Sequence, residues 1–469
     1  MDIKYPKNYL LSVLFLLTFF LVSSKPAHSS VPYFVAPDYR LDKVVELNTH
    51  WRFYWQKMYQ DYQADTSMIG TDILAPRSWT TVNYPSSGYG LFILKVVMPH
   101  STGNPVAVKI PSVTTSFNFY VDGIKLAHAG VVGRSDQTTV SDYKPQVVVF
   151  TPKKDTMEFA FEVANYNYRV AGIDYLIAVG TFNKVNNTFN VYLYFAAFVA
   201  GALILMFFYF IGFYFARRSD LTALYFSLLC LVSAMRIMSI DGILIRQFML
   251  PISWEWLVNI ELISIILIPV FGGLYLFALM GQTKFKGILY TFNTISGILT
   301  LYVLVMDTYY DSLIVPPFLY YVFLQMLFIF VVNIYTWFQK RTQLALYASL
   351  AYLIVFVAGI NDILYSKLIV ETAFLLPYAI LFYVALQAVS MSRYIAFSFS
   401  KVEELSSELV SANKNQEQII AARTAELHQQ SVDLQKYNEV KDKIMSIIAH
   451  DLRSPIASLS SVITLAEIG

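Results

Sequence analysis

The sequence predicts a multidomain membrane protein: an all-β domain first, a seven-helix transmembrane bundle next and a coiled coil last. The 469 residues are 56% hydrophobic and only 14% charged, which is too apolar for an ordinary soluble protein. Residues 31–182 alternate apolar and polar residues between turn signals, whereas residues 188–396 hold seven long apolar runs. After residue 398 the chain turns polar and has no Gly or Pro from Lys401 to Ser454.

Residues 1–29 predict a secretory signal peptide. Lys4 and Lys7 precede an apolar core, which is shorter than the roughly 20 residues that a membrane span needs, and a small-residue stretch follows it. Cleavage is expected near Ser29, and an uncleaved signal anchor is the alternative. In both cases the chain from residue 31 onward begins outside the cytoplasm.

The segment 31–182 predicts one β-sandwich domain. Runs such as "SFNFYVDG" and "MEFAFEVANY" are short, alternating and bounded by turn residues, as strands of a sandwich are. The single cysteine, Cys230, lies in an apolar run, so the domain must be stable without disulfides. No metal site is predicted, because the histidines of the domain lack the spacing of metal ligands.

The seven apolar runs predict transmembrane helices at about 190–215, 221–240, 255–280, 288–306, 315–338, 344–366 and 372–395. Basic residues occupy alternate loops, and such loops face the cytoplasm: Arg217, Arg218, Lys284, Lys286, Lys340 and Arg341. This places the β-domain outside and the C-terminal segment in the cytoplasm. The formal net charge of +2 and the short charged runs exclude a nucleic-acid partner.

Three charged residues fall inside the predicted helices: Arg236, Glu261 and Asp362. Charges at membrane depth are unfavourable and usually pair within the bundle, so we expect one polar cluster with Asn259 and Asn361 beside it. Two interpretations stay open, a structural ion-pair network and a ligand pocket or coupling switch.

Aromatic side chains of the β-domain are candidates for stacking on a sugar ring, since aromatic faces suit apolar ring surfaces. Trp51, Trp55 and Trp79 are the main candidates. The alternative is that these side chains form the core, because a disulfide-free sandwich needs large apolar groups.

Residues 399–440 predict a coiled-coil dimer with one stutter, and a solvated single helix is the alternative. Apolar or small residues recur at 402, 405, 409 and 412, and again from 420 through 448, with a step out of phase between 412 and 420.

The stretch "IMSIIAHDLRSPIASLSS" at 444–461 holds a histidine beside an aspartate. Helical periodicity turns His450 away from Leu452, so the imidazole is exposed. A neutral ring nitrogen can attack a phosphoryl group when a carboxylate takes the ring proton, and Asp451 is placed for that role. Pro455 predicts a bend. The alternative is a solvated surface pair.

The string "KDKIMSIIAHDLRSPIASL" resembles the phosphoacceptor box of sensor histidine kinases. The resemblance implies that His450 is autophosphorylated, that Asp451 is its acid/base partner and that Ser454 assists dephosphorylation. It also implies that 441–469 begins a helical phosphoacceptor hairpin, of which the chain holds only the first helix. ATP and Mg²⁺ are expected for the full-length kinase and neither is bound by this chain, which has no Gly between Gly359 and Gly469.

The strings "AMRIMSIDGILIRQFMLP" and "VAGINDILYSKLIVET" resemble bacterial seven-transmembrane receptors with diverse intracellular signalling modules, and "NTHWRFYWQKM" resembles their jelly-roll sensor domain. These resemblances imply a homodimeric sensor in the lipid of the bacterial inner membrane, which binds a small molecule or carbohydrate outside the cytoplasm. It would pass phosphate from His450 to a response regulator. The alternative is a truncated, non-catalytic receptor that acts through a partner kinase, so whether this chain is itself an enzyme stays open.

Overall fold

The computed structural model describes residues 33–35, 44–98, 103–111, 113, 115–173, 175–218, 220–240, 243–248, 252–366, 370, 372 and 375–467. The predicted signal peptide, 1–29, lies outside these described residues. Two compact units divide the chain, one ending at Met391 and the other beginning at Ser392.

The first part of the chain is a β-sandwich, as the alternating pattern predicts. Its strands are β1 (Tyr33–Val35), β2 (Val45–Glu46), β3 (Thr49–Trp55), β4 (Thr71–Ala75), β5 (Arg77–Ser78), β6 (Gly88–Val97), β7 (Val106–Ile110), β8 (Ser116–Val121), β9 (Ile124–Ala129), β10 (Gln146–Phe150), β11 (Thr156–Asn165), β12 (Gly172–Ile173) and β13 (Ala178–Thr181).

Two sheets face each other across the core of this domain. The larger sheet has the order β4-β3-β6-β11-β8-β9 with β1 beside β6, and the smaller has the order β10-β7-β13-β2. Neighbours that are distant in the chain, such as β3 and β6 or β7 and β13, pair antiparallel. The last strand, β13, also pairs with β2, which joins the early and late parts of the domain.

The core between the sheets is aromatic. Phe161 is fully buried, and its ring centroid lies 4.4 Å from that of Phe119 and 5.8 Å from that of Trp51. Burying a side chain of this size stabilises a fold by roughly 1.5–3 kcal/mol, so a few such residues replace the missing disulfides. A short helix, α1 (Tyr59–Ala64), packs on the outer face of the larger sheet.

The elements described after the sandwich are all helices. They are α2 (Phe182–Ala216), α3 (Leu221–Ser239), α4 (Ile243–Phe248), α5 (Trp254–Leu279), α6 (Lys286–Val305), α7 (Thr308–Lys340), α8 (Gln343–Ser366) and α9 (Leu376–Glu467). Seven of them are long and apolar enough to cross a membrane, which confirms the predicted count. The protein is a multidomain, multi-pass membrane protein. Phe182 directly follows the last strand, so α2 leaves the sandwich without a loop.

Candidate functional site

The predicted phosphoacceptor residues lie on α9. His450 and Asp451 expose 83% and 72% of their side chains, and His450 Nδ1 lies 3.4 Å from Asp451 Oδ1. This is the outer limit of a hydrogen bond, and the donor depends on the ring tautomer. The opposite ring nitrogen, Nε2, faces away from the carboxylate. A neutral ring that keeps its proton on Nδ1 therefore leaves Nε2 with a free lone pair for attack.

The helix continues through Pro455 and ends at Glu467. Ser454 is exposed, and its carbonyl accepts a hydrogen bond from Ser458 Oγ at 2.9 Å. Hydrogen bonds of this kind, from a serine hydroxyl to the carbonyl four residues earlier, often bend a helix slightly.

The predicted coiled-coil positions of α9 are all exposed in the single chain. More than half of the surface of each of these apolar side chains is accessible: Val402, Leu405, Leu409, Ile420, Leu427, Leu434 and Ile444. Apolar side chains repeating on one helix face are usually buried against another helix. The dimer itself stays a prediction.

Arg236 and Glu261, predicted from their charge to meet inside the bundle, are paired. Arg236 Nη1 on α3 lies 2.9 Å from Glu261 Oε1 on α5, and the two side chains are only 15% and 27% exposed. Arg236 is also close enough to Asp362 on α8 to interact with its charge. Arg236, Glu261 and Asp362 therefore lie in one region of the bundle.

Asp362 has a contact that the sequence does not indicate. Its two carboxylate oxygens accept hydrogen bonds from the backbone N–H groups of Leu375, at 2.8 Å, and Leu376, at 3.0 Å. These groups lie at the start of α9, where helical N–H groups have no partner inside the helix. Asp362 thus caps α9 from the neighbouring helix, and a negative charge at that end also suits the helix dipole.

A second polar contact holds the membrane part of α9 within the bundle. The Tyr275 hydroxyl of α5 donates to Gln387 Oε1 of α9 at 3.0 Å, and both side chains are fully buried. A buried hydrogen bond between helices disfavours rotation of one helix against the other, because rotation would leave both groups unpaired.

The aromatic candidates divide into core and surface. Trp51 and Trp79 have no exposed surface, since both fill the space between the two sheets; they form the core, as the alternative held, and are not placed to stack on a ligand in this structure. Trp55 is half-buried and stacks on Tyr84, with centroids 5.2 Å apart. Alternation places Trp51 and Trp55 on the same face of β3, and both contact the core. Trp55 is less buried because it is the last residue of the strand.

A contact between the β-domain and the helix ends was not found from the sequence. Tyr143 and Tyr168 each place a ring 6.3 Å from Trp254, the first residue of α5, and Arg246 of α4 forms an ion pair with Asp142. The signals in the sequence are a tryptophan at a predicted helix start and an arginine in a loop expected outside the cytoplasm. The contact partners of these two residues cannot be identified from the sequence, because they lie about 100 residues earlier in the chain.

Comparisons with known proteins bear on the helical bundle. Residues 192–397 match the family model described as 7TM diverse intracellular signalling. This segment is therefore similar to the membrane module of signalling receptors. No curated protein sequence matches the chain.

One solved structure with partial similarity is the GH2 beta-galacturonidase from Eisenbergiella tayi bound to galacturonate. It is 15% identical, the match covers 30% of this chain and 24% of that one, and the TM-score is 0.22. This similarity is too low to support a statement on fold or function.

Proposed function

We propose that this chain is the input and phosphoacceptor part of a sensor histidine kinase, with His450 as the phosphorylated residue. The observation that carries the proposal is the exposed His450–Asp451 pair, set on the helix that also provides the last membrane span. The match of residues 192–397 to a signalling receptor module supports the sensor half of the proposal.

The chemistry of the acceptor follows from two side chains. Asp451 holds the proton on His450 Nδ1, which leaves Nε2 as the nucleophile. An N–P bond forms at Nε2 while the bond from phosphorus to the leaving oxygen of the donor breaks. The ring proton then passes to Asp451, so the phosphorylated ring is neutral. The exposure of both side chains allows a separate domain to approach the pair.

The phosphoryl donor expected from the resemblance is ATP with Mg²⁺. The described part of the chain does not fit this group: no cluster of three acidic, His or Cys residues that could hold a metal ion occurs among the described residues, and residues 360–468 contain no glycine for a phosphate-binding loop. A nucleotide-binding domain outside this segment would have to hold it, and a response regulator would receive the phosphoryl group.

The proposed route of the signal begins at the β-domain, on the extracytoplasmic side, where a small molecule or carbohydrate would bind. It continues through the contacts at Trp254 and Arg246 into the bundle. The bundle acts on α9 through the Asp362 cap and the Tyr275–Gln387 hydrogen bond. A second copy of the chain would cover the exposed apolar side chains of α9.

The test is phosphorylation of the protein encoded by the complete reading frame, incubated in lipid with ATP labelled at the γ-phosphate. We expect a label that is lost in acid, as a phosphoramidate is, and that His450→Gln abolishes. Asp451→Asn should slow labelling by about 10²–10⁴-fold, the usual contribution of a general acid or base.

A matched control is available in the same helix. His428 is also exposed on α9, so His428→Gln should leave the label unchanged. Labelling that survives His450→Gln, or that is lost equally with His428→Gln, would contradict the proposal. If purified protein is labelled only when another kinase is added, the non-catalytic receptor is the better description.

A further inference from the structure

The first two turns of α7 contain a break in the helical hydrogen bonds. Pro316 and Pro317 lie inside this helix, and proline has no N–H to donate to the carbonyl four residues earlier. The carbonyls of Ser312 and Leu313 therefore have no helical donor. The segment Thr308–Val315 is attached to the remainder of α7 less firmly than an ordinary helical turn.

The β-domain supplies the missing donor. Arg169 Nε donates to the Ser312 carbonyl at 3.2 Å, and the Arg169 backbone N–H donates to Ser312 Oγ at 2.8 Å. Ser312 is 1% exposed, and its hydroxyl donates in turn to the Tyr309 carbonyl at 2.6 Å. One residue of the sandwich thus binds both the backbone and the side chain of Ser312.

The loop that carries Arg169 is fixed to the sandwich by Asn165, which is the last residue of β11 and is fully buried. Asn165 Nδ2 donates to the carbonyls of Ser86, at 2.9 Å, and Tyr168, at 2.6 Å. Its Oδ1 accepts from the Tyr168 N–H at 3.1 Å. These hydrogen bonds restrict the position of the loop that carries Arg169 relative to β11.

Asp311, beside Ser312, adds an unfavourable contribution to this conformation of α7. Its side chain is fully buried, and neither carboxyl oxygen has a hydrogen-bond partner among the residues that the structure describes. It faces an apolar space lined by Leu262, Leu299 and Phe318, which is too narrow for a water molecule and so is no ligand site. A buried polar group without a partner is unfavourable, which favours movement of these turns once they are released.

We propose that Arg169 is a latch by which the β-domain holds the first two turns of α7, and that loss of the Arg169–Ser312 contact releases them. Through this contact the β-domain, in its proposed sensing role, would act on the first two turns of α7. The latch rests on that role only for its biological meaning, because the contact is testable without phosphorylation.

The experiment measures hydrogen exchange by mass spectrometry on the full chain in lipid nanodiscs. Arg169→Gln removes the Nε donor, and we expect the amides of Asp311–Val315 to exchange about tenfold faster. Arg52→Gln is the matched control, since Arg52 is a half-exposed arginine of the same domain that pairs with Asp72. It should leave these amides unchanged.

Pro316→Ala distinguishes a latch from a merely structural arginine. Alanine restores an N–H that bonds the Ser312 carbonyl within the helix, so the carbonyl no longer depends on Arg169. In the Pro316→Ala background, Arg169→Gln should therefore raise exchange by only about threefold or less. An arginine needed only to fold the β-domain would show the same effect in both backgrounds.

Exchange in β11 reports whether the sandwich stays folded. If Arg169→Gln also raises exchange in β11, Ser312→Ala decides instead, because it removes the hydroxyl from the bundle and leaves the β-domain intact. We expect it to raise exchange of Asp311–Val315 by about threefold. Unchanged exchange in Ser312→Ala, or an Arg169→Gln effect that Pro316→Ala does not reduce, overturns the latch. Loss of phosphorylation alone would bear on the kinase proposal and not on this one.

Discussion

Replacement of Asp362 tests whether the start of α9 is held by the neighbouring helix. The carboxylate accepts two backbone N–H groups, from Leu375 and Leu376, at 2.8 and 3.0 Å. A hydrogen bond to a charged group contributes about 1.5 kcal/mol at the low end of the usual range, so the two together contribute about 3 kcal/mol. Asp362→Leu should lose both contributions, whereas Asp362→Asn keeps one oxygen and should lose about half.

The assay is hydrogen exchange at Leu375 and Leu376 in lipid nanodiscs. Because 1.4 kcal/mol corresponds to a factor of ten, Asp362→Leu should speed exchange roughly 100-fold and Asp362→Asn roughly tenfold. Thr372→Val is the control, since Thr372 is exposed nearby and donates to Asn361 Oδ1 rather than to α9. An increase below about threefold in Asp362→Leu would refute the reasoning, since these amides would then be protected by another group.

Three further predictions concern the β-domain and its contact with the bundle. Phe161→Ala should destabilise the sandwich by about 3–5 kcal/mol, measured by urea unfolding of the full chain, and a loss near 1 kcal/mol would show that the core refills the space. Burial, and then the charge of Glu158, raises the pKa of Tyr59 from 10.0 to about 12. The stability that this tyrosine contributes is therefore complete below pH 10.0 and lost as the pH rises towards 12. A difference titration by ultraviolet absorbance between the wild type and Tyr59→Phe measures the pKa, and Glu158→Gln should lower it only partly; an unshifted value in the wild type would contradict the cause. Arg246→Gln and Asp142→Asn should each lower the thermal midpoint of unfolding. Converted to free energies of unfolding, the loss in the double variant should be about 1 kcal/mol smaller than the sum of the two single losses. Additive losses would mean that the ion pair is not formed.

Much of the fold could be predicted because it depends on local periodicity. The strand at Ser116–Val121 alternates buried and less buried residues, which is the period of two that the sequence shows. The seven membrane helices follow from uninterrupted apolar length, and the helical register around His450 correctly indicates an exposed side chain. These properties need no knowledge of distant contacts.

The candidate site was predicted in part. Charge inside an apolar helix indicates that Arg236 needs a partner, and the structure supplies Glu261 from another helix. The same reasoning did not assign Asp362 to the backbone of α9, because a carboxylate satisfied by N–H groups looks the same in sequence as one that is paired with a cation. The sequence left the role of the tryptophans open for a different reason, since aromatic residues serve both cores and binding surfaces.

The sequence by itself determined the order of the parts, the number of membrane helices and the exposure of the His450–Asp451 pair, since each follows from neighbouring residues along one strand or helix. Only the tertiary structure decided that Arg169 binds Ser312, that Asp362 caps α9 and that Trp51 is buried. Arg169 and Ser312 lie 143 positions apart in the chain. Such pairs depend on how separate elements dock, and docking is set by the sum of many weak contacts rather than by a local pattern.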